Sequence, residues 1–229
     1  MIQDTLQQVR EQIIDGGPLY TETDFSHFIV EPWNALSSLL VMIPSIYFLS
    51  KVWHQKEQYK FLIYAIVLVM AGSVGSTLFH GLRSSQLFLL MDIIPIVLLT
   101  ISLSVYFWLK LIKWYYMLLI LIPLFASRFF FFGNVPEHTA INISYAISGI
   151  TVLLPWIILL FKQNFKYWPK LLIIIVSFGL ALYFRSVDGQ SPEWLTMGTH
   201  FLWHVFSAIG VWFLIEYLYY YRKDELKSQ

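Results

Sequence analysis

His200 and His204 stand four residues apart at the start of the last long apolar stretch of the chain. His80 closes an earlier apolar stretch, with Ser76 four residues before it and Asp92 twelve after. Residues i and i+4 share a helix face, so each pair, His200 with His204 and Ser76 with His80, faces one way. Ionisable groups are costly in a bilayer, about 2.5–3.5 kcal/mol for a central aspartate on insertion scales, so they read as functional by default. Three neutral imidazoles with a fourth position open describe a catalytic zinc site. A zinc ion so held lowers the pKa of a bound water to about 7 and polarises a carbonyl. Asp92 is then available to take a proton from the attacking water and return it to a leaving amine, and Ser76 to hydrogen-bond the water or a developing oxyanion. The same residues also suit a proton or ion pathway in a transporter, where His/Asp chains act as relays. His27, His54 and His138 read as structural, and a helical serine such as Ser76 often bonds only a backbone carbonyl.

The elements that must hold these residues are membrane helices. Of 229 residues, 58% are hydrophobic and 18% aromatic, and 13% are charged. Soluble domains carry about 25% charge, so lipid must solvate most of this surface and the expected class is all-α, polytopic, in one integral membrane domain. The absence of cysteine excludes disulfides and thiolate ligands. A formal net charge of +1 argues against a nucleic-acid partner. Residues 1–16, MIQDTLQQVREQIIDG, are too polar for a signal peptide. Their Leu6, Val9, Ile13 and Ile14 recur at helical spacing, which predicts a short amphipathic helix on the membrane surface or capping the bundle. The expected organisation is an N-terminal segment and outer loop over 1–33, a seven-helix catalytic domain over 34–221 and a charged cytoplasmic tail over 222–229.

Stretches long enough to span, about 20 residues each, fall near 34–53, 61–81, 86–109, 112–132, 139–161, 169–186 and 195–220. Lys51, Lys56, Lys60, Lys110, Lys113, Lys162, Lys166, Lys170, Arg222, Lys223 and Lys227 gather on one side, against Arg10, Arg83, Arg128 and Arg185 on the other. That asymmetry predicts an outer N-terminus and an inner C-terminus. Aromatic residues near the span ends, among them Trp33, Trp53, Trp108, Trp114 and Tyr217 to Tyr221, read as an interfacial belt. Span two then runs outward to His80 and span three returns inward, so Ser76 and Asp92 lie on the order of 10 Å below their short linker. Span seven also starts outside, which puts His200 and His204 in the same half of the bilayer. Pro95, one turn after Asp92, is expected to splay the helix there.

At these residues the chain resembles the alkaline ceramidase family, within the wider group of seven-span hydrolases that includes adiponectin receptors and hemolysin-III-like proteins. The matching pieces are GSTLFH (75–80), QLFLLMDIIPI (86–96), GTHFLWHVFSAIG (198–210) and, into span one, EPWNALSS (31–38). The resemblance implies that His80, His200 and His204 hold zinc, that Ser76 and Asp92 serve the chemistry, and that the reaction is hydrolysis of ceramide to sphingoid base and fatty acid. The Asp-x2-Pro context leans toward ceramidases; the receptor branch would make the zinc structural. Relatives in eukaryotes bind calcium through an acidic N-terminal segment. YTETDFSHFIVE (20–31) has no obvious copy of it, although Glu22, Asp24 and Glu31 offer hard oxygen ligands; otherwise Glu31 braces an outer helix end. The implied partners are a lipid amide arriving sideways from the bilayer and the surrounding lipids. Apart from the resemblance, the small size and the lack of an organelle signal in the sequence point to a bacterial inner membrane, with the site toward the periplasm.

Overall fold

The computed structural model describes residues 15–135, 137–192 and 194–228, and the regular structure among them is helical throughout. The helices are α1 (Pro32–Ser38), α2 (Met42–Val52), α3 (Lys60–Leu82), α4 (Gln86–Leu109), α5 (Trp114–Asn134), α6 (Glu137–Lys162), α7 (Trp168–Val187) and α8 (His200–Lys227). With α1 and α2 counted as one broken span, seven helices are long and apolar enough to cross a membrane, as expected for an integral multi-pass protein. The pattern of Leu6, Val9, Ile13 and Ile14 lies outside the described residues.

The chain divides into two compact units. One comprises the residues up to Ile96 together with those from Pro169 onward, and it holds every candidate site residue. Within it, α1 and α2 pack on both α3 and α8. The first span is interrupted by a 3-10 turn over Leu39–Val41. Pro44 has no N–H to donate back one turn, and a 3-10 segment is the local answer to the missing bond. The Oγ atoms of Ser37 and Ser38 both donate to the Asn34 carbonyl oxygen just before the break, at 3.1 and 2.8 Å.

Gly75 sets the approach of α3 to α4. A Cβ at this position would overlap the Met91 carbonyl group and the Asp92 nitrogen. The missing side chain therefore lets the two backbones touch one residue from Ser76 and directly at Asp92. Pro95 lies inside α4, and its lacking N–H is the one that would have bonded the Met91 carbonyl.

The second unit, Val97 to Trp168, is held by apolar contacts. Trp108, Met117 and Leu121 form its buried cluster, with Val105, Ile120 and Phe125 against it. Trp108, expected in the interfacial belt, is buried there. Tyr217 and Tyr221 are buried as well, whereas Trp33, Trp53 and Trp114 are exposed as a belt requires. The charged segment after Tyr221 is helical, since α8 continues to Lys227. Its RKDELK segment consists of good helix formers apart from Asp224, and Arg222 pairs with Glu225 one turn on at 3.1 Å.

Candidate metal centre

His80, His200 and His204 come together. Their ring centroids are 5.0 to 5.2 Å apart, and one nitrogen from each lies within 4.8 Å of the others. All three rings are buried. Among the described residues, both ring nitrogens of His200 and Nε2 of His204 have no hydrogen-bond partner. Buried polar atoms are nearly always paired, so convergent, unpaired imidazole nitrogens are what a metal site leaves when described by its protein atoms alone. The donor set, three neutral nitrogens without thiolate, fits zinc, and the cluster could hold a metal ion.

Each histidine is placed by a different device. His80 ends α3, and its Nδ1 meets Glu31 Oε2 at 2.5 Å. A carboxylate there makes Nδ1 the protonated nitrogen and leaves Nε2 for a cation. Glu31 is itself fixed by main chain: its N–H donates to the His80 carbonyl oxygen at 3.1 Å, beside a bond from the Val30 N–H to the Gly81 carbonyl oxygen at 3.0 Å. His200 opens α8, whose N-cap Thr199 gives no side-chain cap. Asp188 replaces it, accepting the Thr199 and His200 N–H groups at 2.7 and 2.8 Å on Oδ1. Gly198, at φ +63°, makes the turn that allows this; a side chain there would meet Asp188 and Thr21. His204 Nδ1 lies 3.4 Å from Ser38 Oγ.

Ser38 Oγ lies 3.1 Å from Ser76 Oγ, and Ser76 is hydrogen-bonded to the Asp92 carboxylate. His80 is close enough to Asp92 to interact with it electrostatically. Ser76, His80, Asp92, His200 and His204 are thus one neighbourhood, as depth along the helices requires.

The acidic residues of the N-terminal loop are each committed elsewhere. Glu22 accepts the N–H groups of Trp33 and Asn34 at 2.5 and 2.9 Å, at the start of α1. Burial raises its pKa, and those two bonds partly offset the rise. Asp24 is exposed and holds Ser26 and His27. Glu31 is buried; that burial works to raise its pKa, but the His80 hydrogen bond, the Arg83 charge and the Thr23 hydroxyl outweigh it and hold the carboxyl below its usual value. Among the described residues, Glu22, Asp24 and Glu31 do not form a metal-competent group. The positive charge beside Glu31 comes from the chain: Arg83 Nη1 donates to Glu31 Oε1 at 2.5 Å. Glu31 therefore orients a histidine as well as bracing the loop.

Sequence reasoning missed several site residues. Arg83 stands in the sequence only as one of the outer cations, and neither Asp188 nor Tyr20 is singled out there, yet the Tyr20 ring stacks on His200 at 3.8 Å. A lone arginine three residues after His80, in a three-residue linker, is the signal that could have exposed the first. His27 and His54 are exposed and do not belong to the cluster.

Compared with protein-family models and with curated proteins, the chain matches none.

Proposed function

We propose that this protein is a zinc-dependent hydrolase of lipid amides, acting within the membrane on ceramide or a close analogue to give a sphingoid base and a fatty acid. The observation that carries the reading is the buried His80–His200–His204 cluster with its unpartnered nitrogens, set beside a hydrogen-bonded Ser76–Asp92 pair. The motifs around these residues, GSTLFH, QLFLLMDIIPI and GTHFLWHVFSAIG, support the ceramidase assignment.

His80, His200 and His204 would hold the zinc. When bound, it supplies a water of lowered pKa and polarises the amide carbonyl. Asp92 would accept a proton from the attacking water and return it to the nitrogen as the C–N bond breaks, so that the amine leaves neutral. Ser76 at rest is bonded to the Asp92 carboxylate and adjoins Ser38 Oγ. Once Asp92 is protonated its demand for a donor falls, and the Ser76 hydroxyl turns to the oxyanion. The lipid arrives from the side, its chains among the helices. By the distribution of lysine and arginine the site faces the outer leaflet, the periplasmic side in a bacterium.

The test is zinc-loaded protein incubated with ceramide in mixed micelles, with both products followed by mass spectrometry. Turnover that is lost on chelation and in Asp92→Asn is the expected result. No product from ceramide or other lipid amides at full zinc occupancy would favour a receptor-like or hemolysin-III-like protein with structural zinc. Metal-independent, pH-driven flux in proteoliposomes would favour a transporter.

A further inference from the structure

Arg83 is the most completely enclosed cation among the described residues, 2% exposed. It caps α3 at φ +46°, in the left-handed region, where helices ordinarily place glycine because a side chain is strained there. A non-glycine residue kept in that conformation points to its side chain as the reason. The guanidinium forks between two carboxylates. Nε and Nη2 donate to Asp15 at 2.6 and 3.1 Å, and Nη1 donates to Glu31 at 2.5 Å and to the Pro18 carbonyl oxygen at 3.0 Å. Its Cζ lies over the Phe79 ring, 4.5 Å from the centroid. Lysine, a point charge, could not hold both carboxylates in this geometry.

Resting on the reading of the histidine cluster as a metal site, we propose that Arg83 is its positioning residue. The guanidinium fixes the carboxylate that orients His80 and staples the segment from Asp15 to Thr21 over His200. Two consequences follow from the partners. Two carboxylates against one guanidinium leave one negative charge, and Glu31 presents it to His80 Nδ1, which makes Nε2 a better donor to a cation. Asp15, held by Arg83, also accepts the Gly17 N–H at 2.8 Å. Five residues on, Tyr20 lies against His200, and the Thr21 N–H is tied to Asp188 Oδ2 at 2.8 Å. The lid over His200 is therefore anchored at one end by Arg83 and at the other by the carboxylate that caps α8.

The test uses full-length protein in detergent, freed of metal and titrated with cobalt(II), whose visible absorption reports ligation by histidine. Arg83→Gly removes the guanidinium and also the left-handed strain, so the helix end itself is not disfavoured. We expect cobalt to bind at least tenfold more weakly, and added methylguanidinium to recover most of the loss. If Arg83→Gly does not fold, Asp15→Asn/Arg83→Gly, which leaves no unpaired Asp15 charge, carries the same expectation. Affinity within twofold of the wild type in the folded variant, or a loss that methylguanidinium leaves unchanged, would overturn the proposal. A wild type that takes up no cobalt would instead overturn the metal reading on which it rests.

Discussion

The two ends of the helices in the histidine-bearing unit treat charge in opposite ways. Where α3 ends and α8 begins, Asp15, Glu31, Arg83 and Asp188 are all buried, and each holds a specific partner that leads to a histidine. Where α2 and α8 end, lysines lie over exposed or half-buried rings. Lys51 sits 4.6 Å above the Tyr219 ring and 5.6 Å from that of Tyr47. Lys170 pairs with Glu216 at 2.6 Å with both side chains 20% exposed. Fully buried charge is stabilised only by complete pairing, and removing one partner is severe. Snorkelled charge at an interface keeps contact with water and tolerates change. The histidine end is a built site; the lysine end is the boundary of a membrane span.

That contrast orders the expected effects. Asp92→Asn should lower turnover by about 10²–10⁴-fold, the usual scale of general acid–base catalysis, with zinc content unchanged in the same preparation. Loss of zinc together with turnover would make Asp92 structural. Glu31→Gln should weaken zinc binding by about 10–100-fold, the range for residues that orient a ligating histidine, as read by competition with a chelating dye. Equal affinity would show that the His80 contact orients nothing. Asp188→Ala removes charge-assisted bonds to three backbone N–H groups and should cost about 2 kcal/mol or more, measured by thermal unfolding in detergent. Glu216→Gln, at the other end, should cost less than about 1 kcal/mol once its solvent exposure is counted. A larger loss there than for Asp188→Ala would erase the distinction between the two ends.

The sequence made the spans and the histidines legible for the same reason: polar residues are rare where lipid is the solvent. The spacing of His200 and His204, and the depth of Ser76 and Asp92 below one short linker, needed only helix geometry. What was not legible depended on backbone turns. Arg83 reaches Asp15 and Glu31 because the chain turns left-handed at one residue, and Asp188 reaches α8 across eleven residues by a turn at Gly198. Neither leaves a periodic trace. The break in the first span was marked by Pro44, although a single proline inside an apolar stretch does not say whether a helix bends or changes type. Trp108 and Tyr217 read as interfacial because aromatic residues near span ends usually are, and packing in their own units buried them instead.

Zinc content tests the central claim most directly. Elemental analysis of detergent-purified wild type and His204→Ala, both prepared without chelator, should find about one zinc per chain in the first and little in the second, as a three-histidine site requires. A wild type free of metal would contradict the hydrolase account and leave the buried histidines and Asp92 as parts of a proton pathway.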